Sequence, residues 1–475
     1  AGNEVGSAFW RLAASEGPPA GRVFDEKGRC RAVFVDTEPK VCGGRLQQRR
    51  PANSEPPMPQ VIHGVAAAIG TARVHPQCML AEQSGRGNNW AAGFHGPPGG
   101  GGRGGGGSVC DAALEALRWQ WERCDGCPGV MLAHSLGGGT GSGLGSRLVQ
   151  ELRDEHPRAY LLASSIAPFG AGELPLAAYN GTLALATLQE HSDAVLLFDN
   201  ASLMSRLRDA AAAAAASSGP RAAAALSSGS AGRLCLRQID DHMAACLCGL
   251  SLPADYGGAA RPQPFLPGQL VAAVAPLARY KLLELSTARG PQAAPPPSAA
   301  PPPPAVAASP HLPPPPPPLR GARRPVNWST LGDELAEQLP RFDLQQRPVT
   351  TLAALALARG AGNEAVTDRD RSRLCKQLGP SAGQVVEWWE GTSAACALPA
   401  TGAPRTLTLA ANRTAGAAHV GQLALRAELM LLRRAYAHHY DEYGVGLEEM
   451  QQAVGEVRTV VEDYSRLLPP SLVHA

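Results

Sequence analysis

The run Ser135-Leu-Gly-Gly-Gly-Thr-Gly-Ser-Gly-Leu-Gly145 is dense in glycine and carries two hydroxyls, Thr140 and Ser142. Backbone this free can turn tightly and bring its N–H groups against a phosphate, and the hydroxyls add donors. It lacks the Gly-Lys-Ser/Thr ending of a P-loop, so no lysine is placed to reach the phosphates, and the GxGxxG spacing of a dinucleotide loop is not matched. Read as a linker, it would sit oddly between an apolar strand and an amphipathic helix. Other chemistry-bearing groups point to less. Cys124-Asp-Gly-Cys127 is a lone CxxC and Cys246-Leu-Cys248 a close pair, and neither has histidines at ligand spacing, so no zinc site is predicted. His438-His439 and Trp388-Trp389 read as packing rather than as ligands or a base-stacking platform.

The elements that must position such a loop are visible as short apolar runs ending in polar residues. Ala32–Val35 precedes Asp36, Val130–Ala133 precedes His134-Ser135, Leu161–Ala163 precedes Ser164-Ser165, and Ala194–Phe198 precedes Asp199-Asn200. Continuous apolar runs suit strands covered on both faces, hence a parallel sheet. Helical segments alternate with them, at Ala112–Trp121 and at Leu144–Glu155, the latter closed by Pro157 and carrying Leu144, Leu148 and Leu152 on one face. This alternation predicts a doubly wound α/β domain, whose ligands bind beyond the carboxyl ends of the strands, where the polar residues fall.

Composition sets the outer bounds. The chain has 475 residues, with 53 glycines and 43 prolines, about a fifth of the whole against a usual ~12%. The excess is local: a glycine tract at 99–107, an alanine- and serine-rich stretch at 210–232, and a proline–alanine block at 291–318. All three read as low-complexity insertions in a folded body. The proline block is a spacer or a ligand for a polyproline-reading partner. A net charge of +2 lacks the basic field of a nucleic-acid binder. No apolar run approaches the ~18–20 residues of a membrane span, and no signal segment opens the chain. Eleven cysteines at irregular spacing predict no disulfide framework and a reducing compartment. A soluble intracellular protein is expected.

On these residues the chain resembles the tubulin family. GGGTGSG at Gly137–Gly143 is that family's signature, and AGNEVG at Ala1, DTEP at Asp36, GRGNNWAAG at Gly85, YNGTLA at Tyr179, DNASL at Asp199 and AYAHHYDEYGVGLEEM at Ala435 follow in family order. Within the family, VDTEPKV, NNWAAGFHGP and YDEYGV resemble the delta branch. The resemblance implies a tubulin/FtsZ-like fold: a Rossmann-like GTP-binding domain with a parallel sheet, a second α/β domain, and a C-terminal helical hairpin. The corresponding boundaries are 1–205, 206–410 and 411–475.

The resemblance also implies GTP or GDP with magnesium. Ser135, Gly137, Gly138, Gly139, Thr140 and Gly141 would wrap the phosphates, and Gly87 and Asn88 would close over the terminal one. Gly2 and Asn3 belong to the first nucleotide loop, the chain opening inside it without the family's first strand and with Ala1 where cysteine is common. Asp36 and Glu38 match the acidic pair that approaches magnesium, directly or through water. Glu173 would take ribose hydroxyls, with Ala177 in place of a second acid, and Asn200 would read the guanine edge. Asp240 stands where a second guanine-reading asparagine is usual; a carboxylate can accept from both N1–H and N2–H, unless Asp240 is a surface acid displaced by the upstream insertion. Leu236 replaces the stacked aromatic. Gln269 stands where hydrolysis-activating relatives carry an acid, and a glutamine can orient water but cannot take its proton. Nucleotide binding is therefore expected, with turnover weak or dependent on a partner subunit.

Leu447, Met450, Val454, Val457, Val461, Tyr464 and Leu468 form a short heptad seam. It predicts packing against a preceding helix at about 420–440, or against another chain. The ending LLPPSLVHA lacks an acidic tail, so partners that read polyglutamate are not expected. Two functions follow. One is a structural subunit contacting other tubulins, longitudinally or laterally, in the triplet microtubules of centrioles and basal bodies and in cilium assembly. The other is a nucleotide-switched scaffold that recruits partners through the proline block and stays outside the lattice.

Overall fold

The computed structural model describes residues 2–15, 23–37, 73–82, 84–96, 108–124, 129–169, 174–217, 236–252, 266–289, 327–360, 365–378, 386–391 and 405–467. The glycine tract at 99–107 and the proline block at 291–318 lie outside them, as do Glu38, Glu173, Cys127 and Leu468.

Four parallel strands carry the first part of the main sheet: β3 (Gly129–Ser135), β4 (Tyr160–Ala167), β5 (Ala194–Asp199) and β6 (Leu282–Arg289). The sheet continues through β9 (Arg405–Arg413), antiparallel to both of its neighbours, to β7 (Thr351–Gly360) and then β8 (Val386–Gly391), which is parallel to β7. The strands of the predicted second α/β domain thus extend the first domain's sheet. A separate pair, β1 (Phe34–Asp36) and β2 (Met79–Ala81), is parallel with Asp36 opposite Ala81.

Both faces are covered, as the unbroken apolar runs require. Leu161, Ala163, Val195 and Leu197 point into one core with Leu148, Leu183 and Val420, while Leu162, Ile166, Leu196 and Phe198 point into another with Met243, Leu247 and Leu270. Each fully buried side chain of this size contributes ~1.5–3 kcal/mol by leaving water, so strand register and helix docking are set together. Helices α1 (Gly2–Ser15) and α7 (Leu236–Ser251) lie on the second face, and α5 (Ala177–His191) on the first. Between β2 and β3 stand the short α2 (Trp90–His95) and α3 (Val109–Trp121), the latter started by a Ser108–Asp111 capping box. Helix α4 (Gly145–Glu155) follows β3, α6 (Asn200–Ser217) follows β5, and α8 (Pro267–Val274) precedes β6. The first residues of the stretch read as a low-complexity insertion, Ala210 onward, continue α6 as far as Ser217. Alanine is the strongest helix former, so the run propagates a helix already started. A third core lies under α9 (Trp328–Gln338) and α10 (Asp368–Gln377), against alternate residues of β7 and β9.

The C-terminal helices differ from the single predicted helix at 420–440. Helix α11 (Thr414–Leu432) stops, Arg434 and Tyr436 adopt left-handed φ of 48° and 59°, and a one-turn α12 (His438–Asp441) follows. Tyr179 Oη donates to Ala435 O at 2.9 Å across the break, which swings Tyr440 into the core. The seam helix α13 (Leu447–Ser465) packs on α11, where a Cβ on Gly421 would lie 3.2 Å from Val461. Tyr464 binds Asn412 Oδ1 at 2.8 Å and accepts from Leu282 N–H at 3.1 Å. The seam therefore faces its own chain's helices and sheet.

Candidate functional site

Strand β3 ends at Ser135, and the glycine run turns back at once through Leu136–Gly139 into a wide π turn, Thr140–Leu144, that continues as α4. The first N–H groups of such a helix have no intrahelical acceptor and face outward beyond the strand ends. The glycines are required by contact. A Cβ on Gly139 would stand 2.7 Å from Arg86 O and 2.8 Å from Asn89 O, and one on Gly141 2.7 Å from Ser135 O. At these two positions the turn has no room for a side chain.

Three neighbouring segments close on this loop. Gly2, at the start of α1, abuts the Ala133–His134 backbone closely enough that a Cβ would overlap it, and Asn3 Nδ2 donates to Val35 O at 2.8 Å. Behind Asp36, the fully buried Thr37 hydroxyl bonds the Thr140 hydroxyl. The Gly85–Asn89 turn, with left-handed φ at Gly85, Gly87 and Asn88, sits over the loop, and Asn88 Oδ1 lies 3.7 Å from a Cβ on Gly138.

Two residues that the sequence reading left without a role hold the site together. Asn180, fully buried on α5, donates from Nδ2 to Asn88 O at 2.7 Å and to Gly137 O at 2.9 Å. Its Oδ1 accepts from Trp90 N–H at 2.8 Å and from Tyr440 Oη at 2.6 Å. One amide thus clamps the glycine loop to the Gly87–Asn88 turn, braced from the C-terminal segment. His439 O adds a second brace by accepting from Asn89 Nδ2 at 2.7 Å. His134 is buried, and burial pushes its pKa down to about 4, so the ring is neutral. It donates Nδ1–H to Gly141 O at 2.9 Å and accepts from Ser165 Oγ at 2.7 Å, pinning the turn to β4. A polar residue inside an otherwise apolar helix or strand was the available signal for both.

The remaining predicted residues divide by position. Asn200 opens α6 at the same carboxyl edge, where Asp199 caps the helix by accepting from Ser202 N–H at 2.9 Å. Asp240 lies on α7. Burial, with Glu4 and Asp241 nearby, raises its carboxyl to about 6, while Asp241 pairs with Arg11 on α1. Leu236, at the head of the same helix, is exposed. Gln269 is not at this edge. A Cβ on its neighbour Gly268 would touch the ring of Tyr160, the first residue of β4, so Gln269 is exposed at the opposite, amino end of the sheet. Among the described residues no cluster of three or more His, Cys, Asp or Glu side chains could hold a metal by itself, and no helix is long and apolar enough to cross a membrane.

A helix start behind a glycine turn, at the carboxyl edge of parallel strands, is the geometry that α/β phosphate-binding proteins use. Residues 1–208, under half of the chain, match the Tubulin/FtsZ family, GTPase domain, and the match implies GTP or GDP as the ligand. The Homo sapiens tubulin epsilon chain is 33% identical over 210 residues, which are 42% of this chain and 42% of that one. The chain thus spans under half the length of the relative it matches.

Proposed function

We propose that the chain is a GTP-binding structural subunit of microtubule-based organelles, acting with other tubulins in the triplet microtubules of centrioles and basal bodies. The observation that carries the nucleotide half is Asn180, which holds Gly137 and Asn88 in one hydrogen-bonded unit around the free helix start. In this reading Gly137–Gly141 take the phosphates, Gly87 and Asn88 the terminal one, and Asn200 and Asp240 the base. Asp36 supplies an oxygen ligand for magnesium, with Glu38 and the ribose-binding Glu173 from segments outside the described residues. For the branch, the VDTEPKV, NNWAAGFHGP and YDEYGV runs favour delta, while the similarity over 210 residues is to an epsilon chain.

Two experiments test it. Titration with a fluorescent guanine nucleotide should show saturable binding that Gly139→Val with Thr140→Ala abolishes; retained affinity overturns the loop assignment. Cells lacking the protein should lose triplet microtubules from their basal bodies. Normal triplets would overturn the organelle assignment and favour a scaffold outside the lattice.

A further inference from the structure

Arg86 is the residue of the Gly85–Asn89 turn that the nucleotide reading leaves unused. It stands between two glycines with φ of 58° and 54°, and this backbone turns its side chain inward. Only 4% of that side chain is exposed. Its Nη2 pairs with Glu82 Oε2 at 2.5 Å, and its Nη1 donates to Ser84 Oγ at 2.7 Å and Gly85 O at 3.0 Å. The Nε–H is buried without an acceptor. At its root, Arg86 O and Cβ press on Gly139, the middle of the glycine loop.

Burying a guanidinium with a donor unspent costs free energy, because that N–H has left water and gained nothing. The cost is offset wherever an anion takes the free donor. Glu82, at 30% side-chain exposure, holds the cation with one carboxylate oxygen and keeps access to solvent, so it can take up water when the cation moves to another anion. A terminal phosphate brings more charge and several acceptor oxygens in a geometry that a guanidinium fork matches. The turn that carries Arg86 is the one assigned to the terminal phosphate of a triphosphate, which a diphosphate lacks.

We propose that Arg86 is the residue that distinguishes GTP from GDP in this site. With a triphosphate bound, its guanidinium leaves Glu82 and donates Nε–H and an Nη–H to the terminal phosphate; with a diphosphate it stays on Glu82. The inference rests on the nucleotide reading above and adds a specificity-determining side chain to it. A purely structural role, bracing the turn through Ser84 and Gly85, would serve both nucleotides equally.

The test is titration of the full chain with fluorescent GDP and with a fluorescent, slowly hydrolysed GTP analogue, alongside a thermal melt of each variant. Arg86→Gln should weaken the triphosphate analogue by about tenfold or more, the scale of a lost charge-assisted contact, and leave GDP affinity within about twofold. Glu82→Gln should free the cation and keep or raise the preference for the triphosphate. Equal losses for both nucleotides, or an unchanged ratio, would overturn the proposal. If Arg86→Gln fails to fold, Arg86→Lys carries the test. It keeps the charge without the fork and should lower the ratio part of the way, and an unchanged ratio overturns the proposal there too. A wild-type chain that binds neither analogue overturns the nucleotide reading itself, and Arg86 with it.

Discussion

If Asp240 reads the base as proposed, one carboxyl ties base recognition to pH. Burial is the main force raising its pKa to about 6, and the acids Glu4 and Asp241 beside it add to the shift. Only the ionised form offers two acceptors and no donor to the N1–H and N2–H edge of guanine. Acidification from pH 7.5 to 5 should therefore shrink the preference for guanine over adenine nucleotides, by about tenfold over the whole range, as the ionised fraction falls. Asp240→Ala should remove most of the preference and leave what remains independent of pH over this range. Competition binding of ATP against GTP at several pH values measures both. The unliganded fold responds in the opposite sense: a raised carboxyl pKa means the folded state holds the proton more tightly, so this residue's contribution to stability falls as pH rises from about 4 to about 6. A guanine preference that is flat with pH in the wild type would place Asp240 outside the base site.

At the scale of elements, the site depends on how closely α2 crosses the turn before α4. A Cβ on Gly143 would overlap Trp90 O and stand 2.8 Å from Gly93 Cα, and Trp90 Nε1 donates to Ser146 Oγ at 3.0 Å in the same contact. Gly143→Ala must push α2 outward, carrying the Gly87–Asn89 turn off the glycine loop, and overpacking of this kind costs ~1–3 kcal/mol. The expected result is a lower melting temperature and loss of nucleotide binding together, read by thermal melts with and without GTP. Unimpaired binding would show that the turn does not contact the ligand. The glycine loop, the strands that end in polar residues and the both-face burial were legible in the sequence because each is a local pattern of period or composition. Tyr440 and His439 were not. Their bonds join residues some 260 to 350 positions apart, and nothing in the neighbourhood of Tyr440 marks it as a brace for a loop near the start of the chain. The break after Leu432 has the same long-range origin, since Arg434 and Tyr436 are poor choices for left-handed backbone, and tertiary bonds hold them there.

For the whole molecule, the decisive fact is that the glycine loop and Gln269 lie at opposite ends of one sheet. β3 and β4 run in register from Gly129 beside Tyr160 to Ser135 beside Ile166, a span of about 20 Å at ~3.3 Å per residue. Gln269, seated by Gly268 against Tyr160, cannot reach the glycine loop of its own chain. A side chain there can act on a nucleotide only in a neighbouring molecule stacked head to tail, the arrangement that propagates instead of closing. The exposed Tyr160 and Leu277 give that end apolar surface to stack with. Gln269→Glu would supply a base where the wild type can only orient water, an effect of about a hundredfold where general-base catalysis operates. Phosphate release per molecule should therefore rise in Gln269→Glu only at concentrations where chains associate, and should stay at the wild-type level in dilute monomer. A rise of equal size at every dilution would mean that Gln269 reaches its own nucleotide, which the sheet forbids, and no rise under assembling conditions would separate this end of the molecule from hydrolysis altogether.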